Sequence, residues 1–227
     1  MKQLKEFKNC HKGEDIYILA SGKSADFIDN SFFDNKVVIG INQAYKKINC
    51  NYLVRKEAEL IKEILCNTHE STVHFISQGA LGNCNKHFKM KTLKALQNVD
   101  TTNVVLYHHN HNVESITTLP PDDMLVVSHS TITTGIHLAA YMGAKNILLV
   151  GHDCGTINGE CNFSGYHTDQ TYNIAWKNGK SDYKNWLKCI ENTTIRLKYL
   201  LKEKYQCNVC SLNPFINFNL EGNIYHK

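Results

Sequence analysis

Three short polar stretches carry the residues best placed to hold an anion. Ser130 and Thr131 stand directly before Ile132, Ile136, Ala139, Ala140 and Met142, which recur at helical spacing. Serine and threonine there are good N-caps, and the free N–H groups and dipole of a helix start favour phosphate. Ser21-Gly22-Lys23-Ser24 follows the apolar run Ile16 to Ala20. A strand, a glycine-containing turn and a helix make a phosphate cradle. The four-residue gap and second glycine of a Walker A loop are missing. Gly151-His152-Asp153 closes the apolar run Ile147 to Val150 and should reach the same rim. Asn42-Gln43 ends the run Val37 to Ile41. Carboxamides donate and accept together, which suits a nucleobase or sugar edge, although a cap for Ala44 to Ile48 explains them equally well. The plain alternative throughout is that these residues only cap helices and fill turns.

The elements that must position them alternate. Strands are predicted at Ile16–Ala20, Val37–Ile41, Asn51–Val54, Val73–Ser77, Val104–Tyr107, Met124–Val127, Ile147–Val150 and Cys207–Cys210. Helices are predicted from Ala25 towards Asn30, at Glu57–Cys66 with Leu60, Ile61, Ile64 and Leu65 on one face, at Lys86–Leu96, at Ile132–Met142 and at Tyr183–Tyr205. Gly143 is a good residue to end the Ile132 helix. Lys2 to Lys12 is basic and reads as a frayed lead-in or a short helix; Arg55-Lys56, two cations at a strand end, could meet phosphates, although a solvated charge pair is the more frequent explanation. This order argues for a single α/β domain over residues 1–227, with a mostly parallel sheet and helices on both faces. In open sheets of this kind, ligands bind beyond the carboxyl ends of the strands. The polar stretch from Cys154 to about residue 182 holds Tyr166, His167 and Trp176 but little apolar periodicity, as a lid insertion would.

The composition narrows the function classes. The hydrophobic share is 42%, ordinary for a soluble globular chain. No apolar run is long enough to span a bilayer, and the charged N-terminal stretch lacks the apolar core of a signal peptide. A cytoplasmic protein is therefore expected. The nine cysteines are odd in number and imply no disulfide framework. Cys207-x-x-Cys210 has no second pair and reads as two buried small hydrophobes. His108, His109 and His111 follow a strand, where neighbouring side chains point apart, so no metal site is expected. A net charge of +4 suits a phosphate-bearing ligand without arguing for nucleic acid.

The chain resembles the DUF115 group, also described as motility-accessory-factor-like or hydroxymethylpterin-pyrophosphokinase-like. Through it the chain is similar to the bacterial sialyltransferases of glycosyltransferase family 42. The residues that carry this are Ser21-Gly22-Lys23-Ser24, Asn42-Gln43, Ser130-Thr131, the Met142-to-Ile147 turn and Gly151-His152-Asp153. The resemblance implies a Rossmann-like fold of a glycosyltransferase-A-like variant with a lid. It implies that Ser21, Gly22, Ser24, Asn42, Gln43, Ser130, Thr131, Gly151, Asp153 and Tyr166 line a site for a nucleotide-activated sugar such as a CMP-sugar. The acceptor would be a glycan or another hydroxyl compound, with no tightly bound cofactor. The sialyltransferases carry a general-base histidine shortly before the long C-terminal helix, and Ser181 to Asn192 here contains none. His167, or else His152, is the expected base. Two alternatives come with the resemblance. One is an ATP-dependent pyrophosphokinase acting on a pterin alcohol, with magnesium on Asp153, Asp169 and Asp123. The other is a non-catalytic nucleotide- or glycan-binding module.

Overall fold

The computed structural model describes residues 1–80, 86–112, 124–166 and 183–212. Its centre is one eight-stranded sheet: β1 (Asp15–Leu19), β2 (Val37–Ile41), β3 (Tyr52–Arg55), β4 (Val73–Ala80), β5 (Val104–Asn110), β6 (Met124–Val126), β7 (Asn146–Val150) and β8 (Asn208–Ser211). The strand order is β6-β5-β4-β3-β2-β1-β7-β8, and every pairing between neighbours is parallel. The eight predicted strands are all present. The order reverses between β1 and β7, so the crevice beyond their carboxyl ends is where a ligand of a doubly wound sheet would sit.

Alternation along β1 shows how the sheet is covered. Ile16 and Ile18 point into a core shared with α3 (Ile132–Tyr141) and α4 (Tyr183–Tyr205), while Tyr17 and Leu19 point to the other face. That second face is covered by 3₁₀ turns at Lys23–Phe27, Asn30–Phe33 and Ala44–Lys46, and by the short helices α1 (Ile61–Asn67) and α2 (Lys86–Ala95). Helix α3 ends as its sequence predicts. Gly143 takes φ +88, its N–H donates to the Ala140 carbonyl, and the Ala144 N–H donates to the Ala139 carbonyl. This pair of bonds satisfies carbonyls that the helix end would leave orphaned.

Of the two readings of the N-terminal stretch the short helix holds, as a 3₁₀ turn at Leu4–Phe7: Leu4 and Phe7 are buried, and Phe7 packs edge-on against Phe75 at 5.0 Å. Two expectations are corrected. No regular α-helix follows β1; the chain there forms two 3₁₀ turns. Helix α1 starts only at Ile61, because Leu60 adopts φ 64 and interrupts helical geometry; Leu60 is 44% exposed and leaves the apolar face to Ile61 and Ile64. His109 is buried and hydrogen-bonded to Ser77, while His108 and Asn110 are half-buried beside it. Cys207 and Cys210 are both buried. Among the described residues no helix is long and apolar enough to cross a membrane.

Candidate active site

The exits of β1 and β7 are tied together by short-range contacts between residues far apart in sequence. The Gly22 N–H donates to the Gly151 carbonyl at 2.7 Å. Asp153 then receives the Ser24 N–H at 2.8 Å on one carboxylate oxygen and the Ser24 hydroxyl on the other. Asp153 thus caps the 3₁₀ turn that begins at Lys23, in the manner of an N-cap residue supplied from another strand. Burial pushes its pKa up, while the two Ser24 bonds pull it down; burial prevails. A Cβ on Gly22 would lie 2.4 Å from the Gly151 oxygen and 2.5 Å from Asp153 Cγ, so only glycine permits this approach.

A cavity of about 680 Å³ stands at this rim. Ser21, Gly22, Asn42, Gln43, Ser130, Gly151, His152, Asp153 and Tyr166 all line it, so nine of the predicted positions converge. Ser24 and Thr131 are not among its lining residues. Ser24 is buried and spends both its hydroxyl and its amide on Asp153. Thr131 is the N-cap residue of α3 with no side-chain cap bond. Ser130 lies closer to the ligand space, and its Oγ accepts the Ile132 N–H at 3.4 Å. Asp123, His167, Asp169 and Trp176 lie outside the described residues.

Tyr166 reaches the cavity through a segment moored to the β1 exit. The Phe163 N–H and the Asn162 amide both donate to the Ser21 carbonyl, at 2.9 and 3.3 Å. Ser164 donates to the Asp26 carboxylate from its N–H and its hydroxyl. Lys23 pairs with Asp26 and with Glu160. The Tyr166 ring packs edge-on against Phe163 at 5.1 Å, and its carbonyl accepts from Lys46 Nζ at 3.4 Å.

His152 is buried, and its Nε2 lies 2.9 Å from Thr194 Oγ1 on α4. The Thr194 hydroxyl is also within reach of the Ile190 carbonyl at 3.0 Å, and Cys154 Sγ lies 3.8 Å from the same Nε2. Burial pushes the His152 pKa down to about 3. The Thr194 contact joins the β7 exit to α4 beside the cavity.

Several lining residues escape a sequence reading. Arg55 is not solvated: it is 8% exposed, lines the cavity, and donates from Nε to the Glu57 carbonyl at 2.8 Å. Lys46, Glu57, Glu59 and Glu63 share its wall. Tyr45 donates to Glu63 at 3.1 Å, and burial and that carboxylate push the tyrosine up to about 12. Trp186 on α4 is 40% exposed and lines the cavity. The polar spacing around 57–63 resembles any solvated helix face, and Glu57, Glu59 and Glu63 are exposed even where they border the cavity. Among the described residues no group of three or more His, Cys, Asp or Glu side chains is arranged to hold a metal ion.

No protein-family model and no curated protein sequence matches the chain. Solved structures do. CstII from Campylobacter jejuni in complex with cytidine-5′-monophosphate matches 93% of this chain with 88% of its own, at 19% identity and a TM-score of 0.52. The sialyltransferase CST-II in complex with a trisaccharide acceptor and CMP matches 90% of this chain with 83% of its own, at 16% identity and a TM-score of 0.52. The monofunctional α-2,3-sialyltransferase Cst-I from the same organism matches 95% with 82%, at 16% identity and a TM-score of 0.53. The chain therefore has the Rossmann-like α/β fold of these sialyltransferases.

Proposed function

We propose that this chain is a glycosyltransferase that moves a sugar from a nucleotide donor, of the CMP-sugar type, to a hydroxyl acceptor. One observation carries the reading: the strand-exit residues Ser21, Gly22, Asn42, Gln43 and Ser130, with Tyr166 from the following segment, converge on a single cavity at the switch point of the sheet. Fold alone does not assign an activity, so the argument rests on that site. The similar structures include complexes with CMP and with a trisaccharide acceptor, which supports a nucleotide donor and a glycan acceptor.

In this reading Asn42 and Gln43 meet the polar edges of the base or ribose, and Ser21, Ser130 and Tyr166 meet the phosphate. Gly151 and Asp153 shape the floor, and Ser24 acts through Asp153. Thr131 supports Ser130 at the start of α3. The segment after Cys154 acts as a lid. The acceptor oxygen attacks the anomeric carbon, and the bond to the phosphate oxygen breaks as the nucleotide leaves. A histidine near the cavity mouth takes the acceptor proton. Sequence reasoning offers His167, outside the described residues, and His152, whose ring is engaged by Thr194.

The test is a screen of the full chain against CMP-, UDP- and GDP-sugars and against ATP with a pterin alcohol, reading nucleotide release. Release of CMP from a CMP-sugar is the expected result. Pyrophosphoryl transfer from ATP would assign the chain to the pyrophosphokinases, and nucleotide binding without turnover would make it a binding module.

A further inference from the structure

The chemistry proposed above needs a proton acceptor facing the acceptor, and we infer that His129 is this base. The inference rests on the glycosyltransferase reading and adds to it the residue that activates the acceptor. His129 sits between the end of β6 and the start of α3. Its φ is +60, and the flanking Ser130 N–H donates back to the Ser128 carbonyl at 2.7 Å. A bond between residues two apart across a positive-φ centre is a γ-turn of the rarer, strained kind. Such backbone outliers concentrate where a side chain must be aimed.

The side chain lies beside two cavity-lining residues, without itself being among the lining residues. The imidazole is exposed and packs edge-on against Trp186, with ring centroids 5.5 Å apart and an interplanar angle of 68°. Trp186 and Ser130, on either side of it, both line the cavity. Nδ1 lies 3.1 Å from Ser128 Oγ and 3.1 Å from Thr193 Oγ1. In the tautomer whose Nδ1–H donates to one of these hydroxyls, Nε2 carries the lone pair. His152, by contrast, is buried, with its Nε2 against Thr194 Oγ1 and Cys154 Sγ. Successive threonines of α4 thus hold two histidines in opposite roles: Thr194 takes up the buried one, and Thr193 orients the exposed one.

The step balances. As the acceptor oxygen bonds to the anomeric carbon, its proton passes to His129 Nε2. The bond from the anomeric carbon to the phosphate oxygen breaks with its electron pair, and the nucleotide departs. The imidazolium then returns its proton to solvent. Trp186 forms the apolar wall against which an acceptor sugar ring can lie, with its hydroxyl towards Nε2.

The test uses the full chain with CMP as the binding probe and CMP-sialic acid as donor, water and lactose serving as acceptors. A wild type that neither binds CMP nor releases it from the donor refutes the glycosyltransferase reading, and this inference with it. Given an active wild type, His129→Asn is the informative variant, because asparagine tolerates the positive φ but is no base. It should bind CMP within about twofold of wild type and turn over roughly 10²–10⁴-fold more slowly. Added azide, a nucleophile with no proton to remove, should restore donor cleavage and yield the glycosyl azide. Thr193→Val leaves the turn intact and should slow turnover about tenfold at unchanged CMP affinity, so it carries the test if His129→Asn fails to fold. Near-normal turnover in His129→Asn, a loss that azide does not restore, or loss on His167→Ala with His129→Asn still active would each overturn the assignment.

Discussion

Ser24 gives both its backbone N–H and its hydroxyl to the two carboxylate oxygens of Asp153, 129 positions away in the sequence. The pair is buried, and it joins the exits of β1 and β7 at the point where the strand order reverses. A hydroxyl that reads as a phosphate ligand in the sequence is a structural latch in the fold. The carboxylate that reads as a turn residue or metal ligand is the other half of that latch.

Removing the carboxylate should cost more than removing the hydroxyl. Asp153→Ala strips the 3₁₀ turn of its cap and leaves the Ser24 hydroxyl buried without its acceptor, a loss of roughly 2–4 kcal/mol. Ser24→Ala keeps the N–H bond to Asp153 and should lose about 1–2 kcal/mol. Urea unfolding of both variants checks the order; equal losses would mean that the hydroxyl bond carries the whole effect.

Gly22→Ala should disturb the same latch from the other side. The added methyl carbon meets a carbonyl and a hydrogen-bonded carboxylate, neither of which is the free end of a flexible chain. Overpacking of this kind destabilises by roughly 1–3 kcal/mol, and here it also spreads the cavity floor. Stability and CMP affinity are expected to fall together, measured by thermal unfolding and calorimetry.

Much of this was legible in the sequence because the strands are buried on both faces. Runs such as Ile147 to Val150 then read as continuous apolar segments, and the polar residues closing them necessarily fall at one rim. The helix starting at Ile132 was legible for a related reason, since its apolar period ends at a glycine that completes a cap. The residues that escaped are those whose role depends on a local φ. Leu60 at φ 64 lines the cavity and delays the start of α1, and His129 at φ 60 has its ring against Trp186. Neither leucine nor histidine announces a left-handed conformation as glycine does. Arg55 stayed ambiguous because an exposed pair and a buried, hydrogen-bonded arginine look alike as two adjacent letters.

The two residues before α3 should separate in function. Ser130 lines the cavity and Thr131 does not. Ser130→Ala should weaken CMP binding by roughly 1–2 kcal/mol, the scale of a hydrogen bond to a charged group, while Thr131→Ala leaves it nearly unchanged. Calorimetric titration of the two single variants decides this. A larger effect from Thr131 would mean that the helix start rotates on ligand binding.

Transfer should persist in a chelator. The polar groups proposed to meet the donor phosphate are hydroxyls and the N-terminal end of α3, which need no bridging ion to face an anion. Activity in excess EDTA is expected to stay within about twofold of the untreated protein. Full loss, with recovery on adding magnesium, would favour the pyrophosphokinase alternative.

The fold should weaken in mild acid, and the sign follows from its buried histidines. Burial pushes His74 and His109 down to about 4, and His137 and His152 down to about 3, against an ordinary value near 6.5. Each ring is neutral in the folded chain at pH values where the unfolded chain already binds a proton. Its contribution is therefore fully present above about pH 6.5 and is lost progressively as pH falls towards the folded value. For the two rings with the lowest values, the loss between pH 7 and 5 is at most about 2 kcal/mol each. Asp153, whose carboxyl burial raises, opposes this trend only as the carboxylate range is approached. Urea unfolding at pH 7 and pH 5 should show the drop, and His152→Gln, which keeps a donor for Thr194, should flatten the pH dependence by about one proton. A variant as acid-sensitive as wild type would mean that His152 titrates normally and is not held neutral by its surroundings.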